Sequence, residues 1–465
     1  MTELWQQTAS ELAAMIAGKE VSSAEVVDAH LARIERVNPS LNAITRVLGD
    51  EARAAARAAD AALAAGESLG RLHGVPFTVK QNIDLAGCAS DHGVPAFADA
   101  ISPVDAPVVE RMKGAGAIPI GRTNCPDMAL RVHTDSSLHG LTRNPWDATR
   151  TAGGSSGGEA SALASGMSPI GLGNDIGGSL RNPATCCGIA SLKPSAGMVP
   201  EYMYGPMADG PASFQLMPVE GPMARRIGDV RVALGLLAGR DPRDPYSVPA
   251  PLASPRAADR PLRVAVLATP PGGSVDPRIA DRVRAAADVL ADAGYEITEE
   301  GPPRFADVVD TWFAFIGEDI RMMGPMISPI MGDDGNKFLA ALLDSVEPLD
   351  LGAYTQVLMT RQALMREWGI WFADTDLVLT PTWTQLPFEH GWDLDHPAET
   401  IEMMRCVTPA NLLGLPSACV PAGVVDGLPV GVLLTGDRFA DDKTLDAAEA
   451  IETALGVATP IDPVP

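Results

Sequence analysis

Apolar residues recur at helical spacing in AEVVDAHLARIERV, residues 24–37, with polar residues on the remaining face. Ser22 and Glu25 stand ahead of this run in the S-x-x-E relation, in which each side chain satisfies the other's backbone N–H. A helix is therefore predicted from Ser22 until Asn38-Pro39 stops it. The Ala-rich run DEARAAARAADAALAAG, residues 50–66, favours helix by propensity, and Gly66 suits its C-terminal cap. The pattern then changes period. GVPFTVKQNIDLAG (74–87) holds a short β-branched strand beginning after Pro76, and AIPIGRTN (117–124) holds another, with VVERMKGAG (108–116) as a helical crossover between them. Further on, LRVAVL (262–267), DLVLTPT (376–382) and SACVPAG (417–423) read as buried strands, and DPRIADRVRAAADVLADAGY (276–295) as an amphipathic helix.

Alternation of strands and helices points to the α/β class, as one large unit with a helical elaboration near residues 302–372. Within it we delimit N-terminal helices (1–70), a core (71–238), a Pro-rich loop or linker (239–261), a strand with the helical elaboration (262–375) and a C-terminal return to the sheet (376–465). The linker reading rests on GRDPRDPYSVPAPLASPRAADRP, whose prolines block both helix and central strand.

Composition narrows the function. Acidic residues number 59 against 35 basic ones, a formal charge of −24 that repels phosphate backbones and anionic lipid, so neither nucleic acid nor a membrane is expected as a partner. No segment approaches the roughly 18 uninterrupted apolar residues of a membrane span, and the first twenty residues lack a basic start followed by an apolar run. A soluble, cytoplasmic protein is the expectation. Six cysteines spread along 465 residues suggest free thiols, with adjacent Cys186 and Cys187 as small core residues. No H-E-x-x-H spacing and no G-K-[ST] following a Gly-rich loop occur, so no metal or cofactor is expected.

Residues 151–197 are rich in Gly and Ser and poor in charge, which leaves backbone N–H groups free to approach a ligand. Two Gly-Gly-Ser sites lie here, GGSSGG (153–158) and DIGGSLR (175–181). Between them EASALASGMSPIGLGN can form a helix and then a strand that returns the second serine near the first. A serine hydroxyl needs a base. None of the seven histidines sits in a setting that marks it out, whereas Lys80 ends the apolar run VPFTV and would lose hydration at the tip of a buried strand. Desolvation disfavours an ammonium and can make a lysine a general base, although a lysine at a strand end is also an ordinary structural feature.

The stretch NPWDATRTAGGSSGGEASALASGMSPIGLGNDIGGSLRNPATCCGIASLKPSAG resembles the amidase signature family, with support from GVPFTVKQNID and from PANLLGLPSACVPAGVVDGLPVGVLLTGDRF. The resemblance implies an α/β/α unit around a central mixed sheet, and a Ser-cisSer-Lys triad of Ser179 as nucleophile, Ser155 as proton bridge and Lys80 as base. It also implies an oxyanion hole from the backbone N–H groups of Ile176, Gly177, Gly178 and Ser179, a cis peptide between Gly154 and Ser155, and structural support from Gly154, Ser156, Asp175 and Arg181. The implied reaction is amide hydrolysis through an acyl-enzyme, with carbamates or esters as further substrates and a homodimer as the family-typical state. Asn174 and Gln81 depart from the usual residues and are expected to alter the electrostatics around Lys80.

Two alternatives stay open. The glutaminase subunit of a tRNA-dependent amidotransferase shares this signature. Gly153-Gly154-Ser155-Ser156-Gly157 also satisfies G-x-S-x-G, the nucleophile elbow of an α/β-hydrolase, with His390 or His396 as base, but NPWDATRTA before it reads as a polar loop where an apolar strand is required. Methionines at 198, 203, 207, 217, 223, 322, 323, 326 and 331 either line an adaptable mouth for a bulky, uncharged acyl or amine group or pack the core.

Overall fold

A computed structural model describes residues 3–67, 69–205, 208–253 and 260–464. Eleven strands form one mixed sheet: β1 (Ile44–Val47), β2 (Pro76–Lys80), β3 (Ile118–Thr123), β4 (Ile170–Asp175), β5 (Ala190–Lys193), β6 (Val219–Ala224), β7 (Arg263–Val266), β8 (Glu296–Thr298), β9 (Leu377–Pro381), β10 (Ser417–Val425) and β11 (Leu428–Gly436). Their spatial order is β1-β3-β2-β4-β6-β5-β10-β11-β9-β7-β8. The β3-β2-β4 and β9-β7-β8 neighbours pair in parallel and the remainder antiparallel.

Successive side chains of a strand leave opposite faces. Accordingly Val79, Leu172, Leu377, Leu379, Val420 and Leu434 join one buried cluster, while their neighbours Val378, Cys419 and Leu433 join another with Met223 and Trp312. Both faces are covered, which explains why the central strands carry apolar residues on both faces. Thr78 and Lys80 flank Val79 and so leave the opposite face of β2. There the helix Gly157–Ala164 lies, with all eight residues buried. Gly171 permits this approach, because a Cβ on it would run into the Glu159 carboxyl and meet Thr78 Oγ1 at 2.9 Å.

Several local expectations hold. Ser22 and Glu25 form the reciprocal cap, the helix Gly49–Ala64 ends before Gly66 at φ +74°, and Pro107–Gly114 crosses between parallel β2 and β3. The helical elaboration comprises Phe305–Ile327, Asp333–Asp344 and Leu351–Trp371. Cys186 and Cys187 are buried with the other four thiols, and none is in a disulfide.

Others need correction. The first long helix does not stop at Pro39 but runs Ser23–Leu41, ending on left-handed Asn42, because Asn38 Oδ1 caps the chain exit by accepting from the N–H groups of Ala43 and Ile44. The N-terminal region also contributes β1, four residues too short to display a period. Residues 144–152 are not a simple loop: Asp147–Thr151 pairs with Arg143–Asn144 as a polar ladder apart from the main sheet. Of the Pro-rich segment, Arg243–Tyr246 folds back onto the cavity described below, and residues 254–259 lie outside the described residues.

Candidate active site

Parallel β2 and β4 bring Lys80 and Asp175 to one edge of the sheet, and the chain leaves β4 into the loop Ile176–Leu180 before the helix Arg181–Cys187. The other Gly-Gly-Ser site lies between the Asp147–Thr151 strand and the Gly157–Ala164 helix. Ser155 and Ser179 line one cavity of about 360 Å³, and the Ser156 N–H donates to the Ser179 carbonyl at 3.3 Å. The helix-then-strand segment between the two serines thus folds back as its pattern suggests.

Lys80 is fully buried, and its Nζ lies 2.8 Å from Ser155 Oγ and 2.6 Å from Asn174 Oδ1. Burial pulls the amine down to about 8, against the opposing pull of Cys125, Asp175 and Glu159. Glu159 is the one charged residue of its helix, its carboxylate accepts from Thr78 Oγ1 and, at 2.8 Å, from Thr123 Oγ1, and burial pushes it up to about 7. Its role was not read from the sequence, although an acidic residue inside GGSSGGEAS, among small and apolar neighbours, is a usable signal.

The Ser179 loop is tied down from both sides. Arg181 makes a two-pronged pair with Asp175 at 2.8 and 3.0 Å, both side chains wholly buried. Burial alone would raise the Asp175 carboxyl, but Arg181, the Leu180 N–H and Asn411 hold it well below the usual carboxylate range. Asp175 also takes the Gly178 N–H at 2.8 Å. This spends one of the four N–H groups expected to face an oxyanion; among the described residues no hydrogen bond uses those of Ile176, Gly177 or Ser179. Gly178 adopts φ +106°, and a Cβ there would meet the Val407 side chain at 2.6 Å. Trp312 Nε1 donates to the Ile176 carbonyl at 3.1 Å.

At the Ser155 site the Gly154–Ser155 peptide is cis. The Gly154 N–H donates to Asn182 Oδ1 at 2.9 Å, and a Cβ on Gly154 would meet the backbone of Arg131 and His133 at 2.6 Å. Ser156 Oγ is buried with no partner among the described residues. His390 Nε2 instead faces the Ala148 carbonyl, and the ring of His396 stacks on Trp392, so neither is engaged with Ser155.

The two departures differ in effect. Asn174 touches the lysine amine directly. The Gln81 side chain points elsewhere, bonding Thr45, Asp91 and Arg122, so any influence it has on Lys80 is indirect. The methionines divide as well: Met203 and Met323 line the cavity, Met198, Met217, Met223 and Met331 are buried in the core, and Met322 and Met326 are exposed. Met207 lies outside the described residues. Met128, absent from the expected set, joins the lining.

Sequence and structure comparisons place this sheet in an amide-hydrolysing class of enzyme. The amidase family model matches residues 25–445, and the chain belongs to that family. It is 43% identical to an indoleacetamide hydrolase of Bradyrhizobium diazoefficiens over 460 residues, covering 98% of this chain and 87% of that one. It is 34% identical to a glutamyl-tRNA(Gln) amidotransferase subunit of Acidothermus cellulolyticus, covering 98% and 95%. Among solved structures, a bacterial aryl acylamidase of the amidase signature family superposes with a TM-score of 0.84 at 29% identity, covering 97% of each chain.

Proposed function

We propose that Ser179, Ser155 and Lys80 form a Ser-cisSer-Lys relay that cleaves amides through an acyl-enzyme. The observation that carries this reading is the buried Lys80 amine 2.8 Å from Ser155 Oγ, in a cavity shared with Ser179. Neutral Lys80 has two N–H groups and one lone pair. With one N–H given to Asn174 Oδ1, the lone pair is free to accept the Ser155 hydroxyl proton. Ser155 in turn takes the Ser179 proton as the Ser179 oxygen attacks the carbonyl carbon. The resulting oxyanion meets the N–H groups of Ile176, Gly177 and Ser179. On collapse, Ser155 returns a proton to the departing nitrogen, which leaves as neutral amine, and Lys80 reprotonates Ser155. Water then enters by the same relay and releases the acid.

The substrate we propose is a bulky amide with a large apolar portion, because Met128, Leu130, Met203, Phe214, Met323 and Ile327 line the cavity. The similarity to an indoleacetamide hydrolase and an aryl acylamidase supports an aryl or arylalkyl amide. Carbamates and esters place the same carbonyl before Ser179 and are proposed as further substrates. The transferase-subunit reading is less favoured, since identity to those subunits is lower, 34% against 43%. The test is a panel of amides, carbamates and esters of graded bulk, read by release of amine or alcohol, with Ser179→Ala as control. Faster turnover of arylacetamides than of acetamide, abolished in Ser179→Ala, is expected; undiminished turnover by that variant would sink the assignment.

A further inference from the structure

A second wall of the cavity has the opposite chemistry to its methionines. Glu201 and Asp244 line it. Two more carboxyls, Glu220 and Asp84, belong to the same group, for after burial it is Glu201, Asp84 and Asp244 whose charges act on Glu220. Asp84 and Asp244 have local partners: Ser90 Oγ and the Tyr204 N–H donate to Asp84 at 2.5 and 2.6 Å, and the Glu201 and Tyr246 N–H groups donate to Asp244 at 3.0 and 2.8 Å. Glu201 and Glu220 differ. Among the described residues, neither carboxyl accepts a hydrogen bond or pairs with a cation. Glu220 is only 4% exposed and its Oε2 is buried without a partner.

Glu220 is not itself among the lining residues but is the neighbour of one. In antiparallel β4 and β6 it stands directly opposite Asn174, so the two side chains leave the sheet on the same face, and Asn174 lines the cavity. Asp84 feels the buried Arg122 guanidinium, which donates to Gln81, but among the described residues no cation is paired with Glu201 or Glu220. Arg243 lines the cavity but its guanidinium is taken by Asp241 and Glu110. His92, also in the lining, is drawn down to about 4 by burial and is uncharged at neutral pH. A buried carboxyl with no partner is unfavourable unless a ligand supplies one.

We infer that this wall receives a protonated nitrogen of the substrate, making the preferred substrate an amide with an apolar body and an ammonium group on it. The inference rests on the amide-hydrolase reading of the same cavity and revises the expectation of an uncharged group. Burial pushes Glu201 up to about 8, so its carboxyl holds a proton at neutral pH that a bound cation releases to solvent, and burial pushes Glu220 in the same direction.

The experiment is calorimetric binding to the full-length Ser179→Ala protein at neutral pH. The matched probes are 4-(aminomethyl)phenylacetamide and 4-ethylphenylacetamide, with indole-3-acetamide as a neutral N–H donor. The ammonium probe is expected to bind about tenfold tighter than the ethyl probe, and E201Q combined with E220Q is expected to bring the ratio to about one. Should the double substitution abolish cooperative unfolding, E201Q alone, at the cavity surface, is expected to lose most of the preference. A ratio near one before substitution, or a preference that survives the substitutions, overturns the inference. Tighter binding of indole-3-acetamide than of the ammonium probe also overturns it, in favour of a neutral acceptor wall. Turnover of the ethyl probe by the unsubstituted enzyme is measured separately: its absence strikes the hydrolase reading, while the binding ratio still decides this one.

Discussion

At the scale of the residue, Lys80 loses its water at the tip of β2, and because burial penalises the ammonium its amine is pulled down to about 8. Only the neutral amine can accept a proton, and the neutral fraction grows as pH rises. We therefore expect kcat/KM on an uncharged amide to climb with pH and to level off above a midpoint near 8. A rate profile from about pH 6 to 10 tests this, and a falling limb there would contradict it. Lys80→Met, of similar volume, is expected to lower kcat by about 10²–10⁴-fold, the usual worth of a positioned base. Asp175 makes a different prediction. Asp175→Asn leaves the buried Arg181 guanidinium without its charge partner and is expected to cost about 3–5 kcal/mol of stability, read from denaturant midpoints. The pair also shapes the Ser179 loop through the Gly178 and Leu180 N–H groups, so activity should fall with it.

At the scale of the element, the site depends on how closely the Gly157–Ala164 helix lies against the sheet. A Cβ on Gly158 would run into the Asn124 backbone nitrogen and lie 2.5 Å from its oxygen, atoms of the main chain that cannot swing aside. Gly158→Ala is therefore expected to destabilise the protein by about 1–3 kcal/mol, as overpacking does, and to lower activity by moving Ser155 at the head of that helix. Gly228→Ala, where a Cβ meets nothing within 4 Å, is the comparison and should be near neutral in the same measurement. The elements around the site were legible because their signals are local: the capping box of Ser22 and Glu25, the strand ending at Lys80, and the helix-then-strand return from Glu159 to Asn174. Less legible were β1, four residues long, and the last turn through Pro39, where an asparagine cap overrides a proline stop. The polar ladder Asp147–Thr151 has no apolar face to announce it, and this is also why no nucleophile elbow can precede Ser155.

At the scale of the molecule, one eleven-stranded sheet with a buried cluster on each face carries both serines and the lysine on a single chain. No helix among the described residues is long and apolar enough to cross a membrane. The purified chain alone is expected to hydrolyse arylacetamides, with a rate unchanged by added tRNA or by amidotransferase partner proteins. A requirement for either would move the reading to the transferase role. The charge of −24 predicts that a cationic amide gains more from lowering the salt than a neutral one of equal size, since screening weakens the field that attracts it.

By itself the sequence determined the α/β class, because periodicity and caps are written in neighbouring residues, and the resemblance carried by the paired Gly-Gly-Ser sites pointed to the family and to the three residues of the proposed relay. What only the tertiary structure decided is the environment of those residues. The lowered basicity of Lys80 comes from burial beneath other elements, which also bring Asn174 and Glu159 to it; the spent Gly178 N–H comes from how Asp175 turns back on its own loop. The acidic group joins Glu201 and Asp244, which line the cavity, to Glu220 and Asp84 near them, and no local pattern connects the four; only folding brings them together. Burial and charge interact through space, so they become readable only when distant segments have been packed together.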